Sequence, residues 1–141
     1  MHKSPMLLLS LFLIIFVSAC SNFSDEPIPS PTASIENSST TIPVEVVSYN
    51  WGLKETYGSP WELLENKTAV TVQKKSKIIL SFDKKPEKIL FHQNLSYDDF
   101  IKLDILSNEI IVPDKKGIYI YSFIATWPKG TVHYSIKVKV E

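Results

Sequence analysis

The stretch from Gly117 to Val140 constrains the fold more than any other. Tyr119, Tyr121, Phe123, Ala125 and Trp127 fall at one parity, and Ile118, Ile120 and Ile124 at the other. Side chains alternate along an extended chain, so apolar residues on both faces predict a central strand covered on both sides. Pro128-Lys129-Gly130 then turns the chain back. From Thr131 to Val140 the pattern alternates: Val132, Tyr134, Ile136, Val138 and Val140 against Thr131, His133, Ser135, Lys137 and Lys139. That is the second arm of a hairpin with one buried face, its outward lysines blunting an exposed surface.

Upstream, the period of two recurs from Val44. A first strand ends near Trp51, and others cover Ala69–Val72, Lys77–Phe82, Lys88–His92 and Glu109–Val112. Ser59-Pro60-Trp61-Glu62 carries a helix-start signal, with Ser to cap, Pro at the first turn and Glu to close a capping box. Ser96 to Asp99 repeats it, with Leu95 and Phe100 at staple positions. Ile101–Leu106 fits helix and strand equally. About seven strands over residues 44–141, with turns every 8–12 residues, predict an all-β, immunoglobulin-like β-sandwich with one or two short helical turns in its loops. Asp114-Lys115-Lys116-Gly117-Ile118-Tyr119 resembles the approach to a tyrosine corner, with the Asp one residue further from the Tyr than in antibodies.

The first 43 residues are of another kind. Residues 21–43 are rich in Ser, Thr and Pro with unperiodic apolar residues, which predicts a disordered linker ahead of the folded domain. Met6 to Val17 is apolar except for Ser10 and follows Lys3. As a helix it would rise about 18 Å, too short for a hydrocarbon core of roughly 30 Å but suited to the apolar region of an export signal. Val17-Ser18-Ala19-Cys20 resembles the lipobox of bacterial lipoprotein signal peptides, with Val17 where Leu is commoner. The resemblance implies cleavage of residues 1–19 and a lipidated Cys20 as the new N-terminus. It also implies an anchor in membrane lipid, as by palmitate, on the extracytoplasmic face of the cell membrane. Two acyl chains give stable anchoring where one does not. The ordinary alternative is a secretory peptide cut at Ala19 with Cys20 incidental.

Composition narrows the chemistry. Without Lys3, fourteen basic residues oppose fifteen carboxylates, leaving a formal charge of −1 and no electrostatic footprint for nucleic acid. Every basic residue is Lys, so the planar fork suited to phosphate and carboxylate is missing. A single cysteine excludes an internal disulfide, which fits a Gram-positive exported protein better than a small eukaryotic secreted domain. On that reading the N-x-S/T sequons at Asn22, Asn37, Asn66 and Asn94 are chance. The run from Tyr49 through Pro86 to GIYIY and TWPKGTVHY resembles small Firmicute lipoproteins of unassigned function, a likeness that brings no activity with it.

No G-x-S-x-G, Gly-rich phosphate loop or H-E-x-x-H is present. His92 and His133, on separate strands, are the candidates for a metal-binding or enzymatic accessory role. Asp98 and Asp99 with Asp104 offer oxygen ligands for calcium, but helix capping explains Asp98 and Asp99 equally well and is preferred. Both methionines precede Cys20, so a thioether copper ligand leaves with the signal. The aromatic residues point to binding instead. Trp51 and Trp127 are expected in the core, whereas Tyr57 and Trp61 on a loop are expected to be exposed and free to stack on a sugar or seat a peptide. The sequence therefore predicts a non-catalytic, cofactor-free module for a partner protein or envelope glycan, with the histidine pair as the alternative.

Overall fold

The structure, a computed structural model, describes residues 26–141. Cys20 and the export signal lie outside them. Eleven strands and one short helix follow one another: β1 (Thr32–Ile35), β2 (Thr41–Ile42), β3 (Glu45–Trp51), β4 (Lys54–Thr56), α1 (Pro60–Leu64), β5 (Val70–Val72), β6 (Lys77–Ser81), β7 (Lys88–Asn94), β8 (Phe100–Leu103), β9 (Glu109–Ile111), β10 (Gly117–Trp127) and β11 (Gly130–Val140). They form an all-β sandwich. One sheet has the order β2-β1-β6-β9; the other runs β4-β3-β11-β10-β7-β8, with β5 added alongside β11. All pairings are antiparallel except β5 with β11. From β5 onward the path is immunoglobulin-like: β6 and β9 in one sheet, β7, β10 and β11 in the other, and an early strand parallel to the last.

The β10–β11 hairpin is the spine. Its register runs from Gly117 opposite Val140 to Trp127 opposite Gly130 without a slip. Phe123 sits at the centre of the core, with Tyr134 at 5.2 Å between ring centroids and Phe82 and Phe91 each at 6.1 Å. Trp51 and Trp127 are buried and meet edge to face at 5.7 Å, the core placement expected of them. Ala33, Ile78, Leu80 and Ile110 close the core from the other sheet. Gly130 is required by crowding: a Cβ there would lie 2.0 Å from the Asn50 carbonyl oxygen. Tyr119 donates its hydroxyl to the Lys115 carbonyl at 2.8 Å, forming the tyrosine corner four residues downstream of its acceptor.

Four expectations need correction. The described residues hold eleven strands rather than about seven, because the short β1, β2, β4 and β8 add to the seven that periodicity marks. The Ser/Thr/Pro segment is not linker throughout, since β1 and β2 fall inside it and β1 pairs with β6. Ala33 and Ile42 are buried there: β6 supplies the surface that this segment's own composition lacks. The second helix-start signal makes no helix, because the Asp99 carbonyl accepts from the N–H groups of Leu95 and Ser96 and turns β7 into β8. Ile101 thus lies in a strand. Finally, α1 starts after Ser59 with Pro60 in its first turn but without the capping box, as Ser59 makes no side-chain cap.

The chain ahead of β1 is fastened to the sandwich. Trp51 donates its indole N–H to the Glu26 carbonyl at 2.8 Å, and Tyr134 donates its hydroxyl to the Pro29 carbonyl at 2.6 Å. Lys84 pairs with the Glu26 carboxylate, and Lys129 reaches the Glu26 carbonyl at 3.4 Å.

Candidate functional site

Three places on the seven-stranded sheet hold the residues singled out by chemistry. The first is its outer face. Val132, Tyr134 and Ile136 point into the core, so His133, Ser135 and Lys137 point out. The sequence expects that face to be solvated, but α1 packs over β10 and β11 and buries part of it. Lys137 explains how. Its ammonium donates to the carbonyls of Leu64 at 2.8 Å, Glu65 at 2.8 Å and Lys67 at 2.7 Å. These belong to the end of α1 and the turn after it, where helix carbonyls lack internal partners and a cation is favoured. A lysine that pattern alone assigns to solvent therefore holds a helix down.

Beneath and beside α1 runs a polar row. Ser135 lies opposite Ser122, and Ser122 lies opposite His92, across β11, β10 and β7. His133 is on the same face, opposite Ile124. The hydroxyls of Ser59, Ser122 and Ser135, the Asn94 side-chain oxygen and His133 Nε2 are buried without a hydrogen-bond partner among the described residues. Burial pushes the His133 imidazole down to about 4, with a smaller contribution from the nearby His92. His92 is also lowered, by burial and then by Lys102. Its ring meets the edge of Phe100 at 4.7 Å. The fold thus brings the two histidines to one face of one sheet, separated by β10. Serine activation needs a base hydrogen-bonded to the hydroxyl, and Ser122 has none. Among the described residues, no group of three or more His, Cys, Asp or Glu side chains gathers as a metal site would require.

The second place is the loop that carries Tyr57 and Trp61. Tyr57 is 85% exposed, and its hydroxyl donates to Glu55 at 2.5 Å. That bond, strengthened by the carboxylate's charge, raises the phenol's pKa. Trp61 is half-buried on α1 rather than free. Gly58 passes so close to β3 that a Cβ would meet the Val47 carbonyl at 2.4 Å. The expected pair of exposed rings is therefore one exposed ring and one half-buried ring on α1.

The third place is marked in sequence only by Tyr97, one of the aromatic candidates. At the β7–β8 turn, Leu95, Tyr97, Phe100 and Ile101 are all exposed, Tyr97 by 60% and Phe100 by 57%. Phe100 and Ile101 lie on β8, the edge strand of the sheet. In the sequence, Leu95 and Phe100 look like a helix staple, which would cover both. The available signal is the crowding of four apolar residues around Tyr97-Asp98-Asp99 within a turn. Asp98 and Asp99 are exposed in that turn, and Asp104 follows β8.

No family model matches the chain, and no curated protein or solved structure is significantly similar to it.

Proposed function

We propose that the chain is a lipid-anchored module on the extracytoplasmic face of the cell membrane, non-catalytic, binding a partner protein through the β7–β8 turn. The observation that carries the binding reading is the exposed apolar set of Leu95 and Tyr97 in the turn with Phe100 and Ile101 on the edge strand β8. Large apolar side chains left exposed together at one turn support an interaction site. An edge strand also offers unpaired backbone groups to a partner's extended segment. The anchoring reading rests on the lipobox-like Val17-Ser18-Ala19-Cys20. Tyr57 is a further exposed ring, after β4 at the other edge of the sheet.

A photo-crosslinking residue at position 97 in intact cells tests the binding. A discrete crosslinked protein that disappears with Phe100→Ser supports it. No adduct, or retention on purified cell-wall glycan that depends on Tyr57 and Trp61 instead, overturns the protein-partner reading. Fatty-acid labelling tests the anchor: the label is lost and precursor accumulates in Cys20→Ala, whereas continued labelling overturns it.

The alternative use of His92 and His133 has one observation in its favour, their common face across β10. Stoichiometric metal in purified protein, lost on His92→Ala or His133→Ala, would establish it in place of the binding reading.

A further inference from the structure

We infer that the end of the sandwich bearing Glu26 faces the membrane and rests Leu53 and Leu106 in the lipid interface; this deepens the lipid-anchor reading and depends on it. Three turns meet around Glu26. Trp51 and Lys129 both donate to its carbonyl, and Lys84 binds its carboxylate. Gly52 donates its N–H to the Lys129 carbonyl at 3.2 Å, and Trp127 donates its indole N–H to the Lys84 carbonyl at 3.0 Å. The β3–β4, β6–β7 and β10–β11 turns therefore occupy one end of the molecule, where the chain arrives.

Reach then sets orientation. Six residue steps separate Cys20 from Glu26. Whatever path they take, they span at most about 20–22 Å. Strands β10 and β11 each run eleven residues, a length of about 36 Å. Turning the domain over would place Glu26 farther from the lipid surface than its tether extends. The Glu26 end is kept towards the bilayer, and the β7–β8 turn, beyond the opposite end of β7, is kept away from it.

This membrane-facing end carries apolar tips. Leu53, in the β3–β4 turn, is 88% exposed, and Leu106, in the β8–β9 connection, is fully exposed. They are the two most exposed leucines among the described residues. Leu106 shares a groove with Lys85, Pro86, Glu87 and Lys88, which places it at the same end as the β6–β7 turn. Lys54, Lys84, Lys85, Lys88 and Lys129 are balanced there by Glu26, Glu55, Asp83, Glu87 and Asp104. Apolar insertion rather than net charge is thus the attraction, and it adds to the acyl chains.

The full lipidated chain tests this in vesicles of phosphatidylethanolamine and phosphatidylglycerol. Leu53→Cys, Leu106→Cys and Tyr97→Cys each take an environment-sensitive thiol dye, since the lipid occupies Cys20. All three side chains are exposed, so the substitutions leave the core intact. Dyes at 53 and 106 are expected to shift to the blue and to be quenched by nitroxide-labelled lipid, while the dye at 97 stays aqueous. Aqueous emission at 53 and 106 in protein that carries its fatty-acid label overturns the orientation alone. Protein without that label overturns the anchor and the orientation together.

Discussion

Lys137 and Leu64 lie seventy-three positions apart in sequence, yet the lysine's ammonium donates to the leucine's carbonyl at 2.8 Å. The same group satisfies Glu65 and Lys67, so its three protons meet three backbone acceptors. Lys137→Met keeps the aliphatic stem and removes all three bonds. The expected loss is about 1–3 kcal/mol in urea unfolding. Amide exchange should accelerate at α1 while the β10–β11 hairpin keeps its protection. An unchanged exchange pattern would show that packing alone holds the helix.

Trp51 serves two functions, filling the core beside Trp127 and donating to Glu26. Trp51→Phe retains an aromatic ring but loses the donor. Stability should fall by about 1–3 kcal/mol, combining the lost hydrogen bond with the smaller ring. Limited proteolysis should newly cut between residues 26 and 31. Protection of that segment in the variant would assign its order to Tyr134 and Pro29 instead.

Tyr119 tests the tyrosine corner in isolation. Its ring stacks on Tyr121 at 6.3 Å, and its hydroxyl reaches Lys115. Tyr119→Phe removes only the hydroxyl and should cost about 1 kcal/mol in thermal or urea unfolding. A neutral result would mean that water replaces the bond without loss.

His133 predicts a pH dependence. Its pKa lies at about 4 in the folded protein, below the ordinary histidine value of about 6.5 expected when unfolded. Between those values the unfolded chain binds the proton and the folded chain does not. Stability is therefore full above about pH 6.5 and declines as pH falls towards 4. From pH 7 to 5 the expected contribution is about 1–2 kcal/mol. His133→Gln should flatten this part of the profile, measured by urea midpoints at both values. Equal slopes in the two proteins would move the effect to other groups.

The parts of the fold legible in sequence are those whose own residues carry the pattern. β10 carries apolar residues at both parities, one face buried in the core and the other covered only in part, with Ile118 exposed. In β11 the apolar residues alternate onto the core face, while Ser135 on the other face is buried too. β1 and β2 have four and two residues, too short for a period to emerge. Ala33 and Ile42 become core only because β6 and the opposite sheet lie against them. The helix-start signal is likewise local. Ser59 and Ser96 both offer a cap, but Ser59 is followed by Pro60 in the first helical turn, whereas after Ser96 the chain closes on the Asp99 carbonyl as a turn. The candidate sites divide in the same way. Tyr57 is exposed as its loop position implies, whereas Trp61 is half-buried on α1, a helix whose end is bonded to distant Lys137. Leu95 and Phe100 stand exposed because the helix their spacing suggests does not form.

The fastening of Glu26 has a mechanical consequence. A tether transmits tension as well as position, and a pull arriving at residue 26 meets Trp51 on β3, Lys84 after β6 and Lys129 before β11. Pro29 passes a further share through Tyr134 into the middle of β11. Load is spread over both sheets before it reaches β1, whose backbone bonds to β6 would otherwise take it first. Under the proposed lipid anchor, this arrangement would keep the domain from being unravelled at the point where it is held.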